Sequence, residues 1–184
     1  MSEFSESFHF AHSTREEIAA SLQAAGMKGA LFGPSKTGWV TFVPLEGCEG
    51  HQFLTGPRSD FSNTLSRITS KTVLEWVYAE DHLWFALLAQ GGRRIAAYTG
   101  DWSEDEPVVQ SDNPEDFLTL PAHGGADRII REAMPATLEE KDIFGSTPHA
   151  YRLAEALGLP KYQWLSSQYL TADMPAEPED GHMI

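Results

Sequence analysis

Two compact residue groups in this chain have side chains suited to chemistry: Cys48-Glu49-Gly50-His51 and Asp81-His82. A thiol near an imidazole is the material of nucleophilic catalysis, and a carboxylate beside an imidazole that of an oriented general base. Zinc takes the same residue types but needs about four ligands, and only Cys48 and His51 lie close together. Cys48 sits in "LEGCEGH", where two glycines mark a connecting loop. His9 and His12 are three apart around the end of a strand-like run and point to opposite faces, which makes them poor joint ligands. His82, His123, His149 and His182 are scattered. The "GDWSEDEPV" stretch offers carboxylates for a hard cation at a spacing that misses the EF-hand loop. Phosphate-loop, dinucleotide, nucleophile-elbow and HExxH signatures are absent. The expectation is no catalytic residue, no metal site and no cofactor.

The surroundings of Asp81-His82 argue the same way. In "VLEWVYAEDHLWFALLAQGGRRIAAYT" the polar clusters "AEDH" and "QGGRR" separate three runs of strand-forming residues. Asp81-His82 is then the turn of a hairpin, and Gly91-Gly92 a second, tight one. Upstream, "STREEIAASLQAAG" reads as a helix. Ser13 with Glu16, or Thr14 with Glu17, forms its capping box, and Ile18, Leu22 and Ala25 form its apolar stripe. Phe61, Leu65 and Ile68 repeat that stripe in a second helix. Each helix is preceded by a short apolar piece, "FHF" or "QFL", and followed by two strand-like runs. Phe10 to Phe53, Ile18 to Phe61 and Leu22 to Leu65 share one offset of 43 residues. The predicted fold is α+β: an antiparallel sheet from two βαββ units over residues 1–100, with both helices on one face.

Residues 100–125 hold Asp101, Glu104, Asp105, Glu106, Asp112, Glu115 and Asp116 but no lysine or arginine, and are punctuated by prolines. They read as an acidic linker or surface excursion (101–125), with "PEDFL" a capped helical turn. Residues 126–172 are expected to fold back on the sheet as part of the same domain. "ADRIIREAM" and "STPHAYRLAEALGLP" are its helices and "YQWLSSQYL" its strand, with Trp164 and Leu165 docking. Residues 173–184 read as a loose tail.

The net charge of −14 is unevenly spread. Residues 1–99 carry 10 acids and 8 bases, whereas residues 100–184 carry 17 acids and 5 bases. Such a field repels nucleic acid and anionic lipid and attracts basic partners. With one cysteine, no intramolecular disulfide forms. No apolar run is long enough to span a bilayer, and "MSEFSESFHF" lacks the features of a signal peptide. The expected location is the bacterial cytoplasm.

The strand "LWFALLA" is apolar on both faces, so the face away from the two helices must also be covered. The C-terminal segment, a second copy of the chain or an apolar ligand would do so. Trp39, Trp76, Trp84 and Trp164 are the candidate lining of a ligand basket on that face.

The "GWVTFVPLEG" run, the meander from Val73 to Tyr98 and the late "AEALGLPKYQWLSSQYL" resemble a group of small uncharacterised bacterial proteins over residues 14–100 and 148–170. The duplicated βαββ layout is also similar to gyrase-inhibitor-like and SOUL haem-binding folds. That resemblance implies a cleft or surface used for binding rather than a fixed catalytic set. The expected function is a non-catalytic protein that binds a partner or small ligand through a sheet face. The alternative is an acidic immunity-type protein that neutralises a basic toxin or enzyme, and an enzyme comes third.

Overall fold

The computed structural model describes residues 3–45, 59–103, 106–139, 143, 147–163, 165–166 and 181–184. Thr14 starts the first helix: its side chain accepts from the Glu17 amide while the Glu17 carboxylate accepts from the Thr14 amide. Of the two sequence-compatible boxes, only this pair places both groups on orphan amides of one helical turn. The helix it starts, α1 (Arg15–Ala24), lies between the strands β1 (Phe4–Phe10) and β2 (Gly29–Phe32). It is followed by β3 (Val40–Pro44), α2 (Ser59–Thr69), β4 (Val73–Ala79), β5 (Leu83–Gln90) and β6 (Arg93–Asp101).

The strands form one antiparallel sheet. Registers such as Phe8 opposite Phe42 and Ser7 opposite Trp76 fix which side chains share a face. On one face Phe8, Phe10, Val40, Phe42 and Val73 pack with Ile18 and Leu22 of α1 and Phe61 and Leu65 of α2. Both helices therefore cover the same side, as the repeated stripe predicts. The piece expected as the second unit's first strand, 52–54, lies outside the described residues. Gly91 and Gly92 have φ of 60° and 82°, so the β5–β6 turn uses two left-handed residues that glycine adopts without steric cost.

The chain then departs from the expected linker. Residues Val108–Asp112 form β7, which pairs antiparallel with β6 and ends the sheet. A 3₁₀ turn, η1 (Pro114–Thr119), follows and buries Phe117 completely. Prolines and acids hide β7 in the sequence, although Val108-Val109 has strand propensity. The η1 turn falls where "PEDFL" reads as a helical turn, with Pro114 at its start but no side-chain cap from Asn113.

The second sheet face is covered by the chain itself. Helices α3 (Asp127–Ala133) and α4 (His149–Leu157) lay Ile130, Ala133, Ala150, Leu153, Ala154 and Leu157 against Leu74, Trp76, Trp84, Leu88 and Tyr98. The α4 helix begins at Pro148 without a side-chain cap from Thr147, and Gly158 ends it in the left-handed conformation. Gly100 sits at a close approach: a Cβ there would stand 2.7 Å from Leu138 Cδ1 and 3.3 Å from the Trp84 indole nitrogen.

Two further expectations are corrected. The described residues of "YQWLSSQYL" do not form a strand. Leu165 instead makes two isolated bonds to β1, its carbonyl accepting from the Glu6 amide at 2.7 Å and its amide donating to Ser5 Oγ at 3.2 Å. The first satisfies the Glu6 amide on the half of β1 that β3 leaves unpaired, since β3 reaches only Phe8–Phe10. The end of the tail is not loose: Gly181–Met183 form β8 against β2. The edge of β2 offers unpaired amides and carbonyls, and Met183 and Ile184 gain apolar contacts there. The full order is β7-β6-β5-β4-β1-β3-β2-β8. Among the described residues no helix is long and apolar enough to cross a membrane.

Candidate functional site

Asp81 and His82 lie in an exposed turn between β4 and β5, closed by the His82 amide donating to the Ala79 carbonyl at 2.9 Å. Neither gathers a nucleophile. Cys48 and His51 lie outside the described residues, as does Trp164. Trp39, Trp76 and Trp84 are fully buried core side chains rather than walls of a cavity. The Trp39 indole donates to the Pro121 carbonyl at 2.9 Å and that of Trp76 to Ala150 at 3.2 Å. These bonds anchor the returning chain to the sheet and leave the rings to pack against it. No group of three or more metal-ligating side chains occurs among the described residues.

One pair does have the geometry of a catalytic dyad. Ser7 Oγ and His9 Nε2 are 2.9 Å apart, and His9 Nδ1 is 2.8 Å from Thr41 Oγ1. All three residues are completely buried in the sheet interior. Burial pushes the His9 pKa down to about 3, so the imidazole is neutral at pH 7 and is a very weak base. Its two nitrogens satisfy two hydroxyls, which makes the cluster a closed polar seam in the core.

A second polar seam lies where the C-terminal segment meets the start of β1. The Tyr151 hydroxyl donates to Glu3 Oε2, and Ser5 Oγ donates to Glu3 Oε1 at 2.6 Å. Rings of Trp76, Tyr78, Tyr151 and Tyr162 pack around it, with Tyr78 and Tyr151 centroids 5.2 Å apart. Burial first, then the charges of Glu80, Glu3 and Asp81, pushes the Tyr78 phenol up to about 12. Burial and the bond to Glu3 raise Tyr151, and burial with the Glu155 charge raises Tyr162 to about 12. The Tyr151 and Tyr162 phenols are held protonated as donors to Glu3 and Glu155, and the seam fastens the two chain segments together.

Open surface remains at the far end of β6 and β7. The last turn of α2 reaches the β5–β6 turn, where the Gly92 amide donates to Ser66 Oγ at 3.0 Å. The opposite end of β6, at Thr99 and Asp101, stays half exposed. There a groove of about 280 Å³ is lined by Thr99, Asp101, Ser103, Glu106, Val108 and Gln110. Asp101 shapes its rim by accepting from the Ser103 amide at 2.9 Å and from Ser103 Oγ at 2.7 Å. Among the described residues two carboxylates and no base line the groove; Arg94 meets Asp112 at 3.5 Å, beyond the lining. Val108 is 50% exposed, unusual for a valine in a strand. Sequence reasoning missed this site because it read residues 101–125 as a linker or surface excursion, without a strand. The available signal was Val108-Val109 bounded by Pro107 and Asn113.

Comparisons with protein-family models, with curated proteins and with solved structures give no match.

Proposed function

We propose that this chain is a non-catalytic protein of the bacterial cytoplasm that binds a basic partner protein at the open end of its sheet. The observation that carries the reading is the β6–β7 groove, with Asp101 and Glu106 in its lining and no lysine or arginine among the described residues there. It lies in the stretch 100–125, which has seven acids and no lysine or arginine, within a chain of net charge −14. Complementary charge of this kind speeds encounter and selects partners. The binding element proposed is the end of the sheet, because the face away from α1 and α2 is covered by the chain's own α3, α4 and η1, the first of the three covers its apolar character called for. The groove lies open at the sheet end and carries two carboxylates, which favours a cationic protein surface over an apolar small ligand. An immunity-type role, neutralising a basic toxin or enzyme, is the form of this reading that best uses the charge. The resemblance to gyrase-inhibitor-like folds is consistent with a binding surface.

The test uses the cationic peptide acetyl-(Lys-Val)₄-amide and its anionic counterpart acetyl-(Glu-Val)₄-amide, titrated into the protein by calorimetry at low salt. The cationic peptide is expected to bind, with affinity falling as salt screens the charges. Glu106→Lys with Gln110→Lys, both at exposed positions, should weaken binding about tenfold, or roughly 1.4 kcal/mol. Equal binding of the two peptides, or no effect of the charge-reversed variant, would refute the reading.

A further inference from the structure

We infer that the basic partner is captured by strand addition: an extended segment of a second protein pairs with the free edge of β7. This rests on the proposed function and specifies how that same site works. Among the described residues the β7 strand ends the sheet order and pairs on one side only, with β6. Four of its five residues are exposed. Alternate residues of an antiparallel edge turn their amide and carbonyl outward, ready for a further strand. Native sheets protect such edges with charged side chains, proline, a bulge or a short strand. Val108–Asp112 has no lysine, proline or bulge, and its one charge, Asp112, is paired with Arg94 of β6. Pro107 and the left-handed Asn113 (φ 49°) bound it, leaving about 17 Å of usable edge at ~3.4 Å per residue.

Side-chain alternation then defines the occupant. Val108 pairs with Asp101 and Gln110 with Thr99, so these residues lie on the groove face of β6 and β7. A strand laid beside β7 sends every second side chain to that face, where the lining carries Asp101 and Glu106. On the other face β7 presents Val109, packed against the core under α3 and α4. The matching segment alternates basic and apolar residues. A second copy of this chain fits poorly, because two β7 edges brought together would oppose the same carboxylates without a base to offset them. Nucleic acid is disfavoured by the same charges.

The test uses the intact protein and acetyl-(Lys-Val)₄-amide, unmodified or N-methylated at all lysines or at all valines. Strand addition needs the amides of one parity only. One methylated peptide should therefore lose about tenfold or more in affinity while the other stays within about twofold of the unmodified peptide. If both methylated peptides bind as well as the parent, strand addition is wrong and charge attraction alone remains. If the unmodified peptide does not bind at about 1 mM, corresponding to roughly 4 kcal/mol, both the strand addition and the proposed function fail. Sedimentation of the protein alone gives a further outcome: a dimer that Gln110→Pro converts to monomer would mean that a second copy occupies the edge, overturning the inference.

Discussion

His9 illustrates why residue type alone misleads. A serine and a histidine at hydrogen-bonding distance would read as a dyad, yet the pair is sealed in the sheet and His9 is held neutral. The consequence is measurable. The folded-state pKa of His9 is lowered to about 3, below the ordinary value of 6.5. As pH falls below 6.5 the unfolded chain takes up a proton that the folded chain refuses, so stability is lost through that window. The slope is about 1.4 kcal/mol per pH unit for one such group. Urea unfolding of the wild type and of His9→Gln between pH 6.5 and 5 should show the variant with a shallower pH dependence by about that amount. Parallel curves would mean that His9 titrates normally in the folded protein. Asp81 and His82 were legible as a turn because strand-like runs flank them, and their exposure agrees. The burial of His9 was not legible: its hydroxyl partners are Ser7, on the same strand, and Thr41, 32 residues away in the neighbouring strand β3.

Among the elements, those with an apolar period were readable. The stripes Ile18–Leu22 and Phe61–Leu65 specify two helices, and both enter one core cluster. Glycines marked the β5–β6 turn, and Gly158 marked the end of α4. The element that forms the candidate site carried little such signal. Four of the five residues of β7 are exposed, so strand alternation was not written into it, and its place beside β6 is set by tertiary pairing. The same holds for β8, three residues that become a strand only because β2 has an open edge. Helix α4 has the opposite character: it is short and owes its stability to packing on the sheet. Leu153 is fully buried there against the tryptophan-rich face. Leu153→Ala should cost about 2–5 kcal/mol, measured by the shift in denaturant midpoint. A change under about 0.5 kcal/mol, as for an exposed site, would show that α4 is not held on the sheet as described.

At the scale of the whole molecule, one antiparallel sheet has helices on both faces but leaves the β7 end exposed. The charge asymmetry read from the sequence falls on that end, since β7 lies within the seven-acid stretch 100–125. Composition is what suggests a basic partner, while the contact proposed for it rests on the pairing of β6 with β7. Amide-resolved NMR during titration with acetyl-(Lys-Val)₄-amide tests the central claim most directly. The account predicts shift changes concentrated on Thr99–Asp101 and Val108–Asp112, with slowed hydrogen exchange of outward-facing β7 amides. Changes centred instead on the α3–α4 surface around His123 and Arg152, with β7 unaffected, would contradict it.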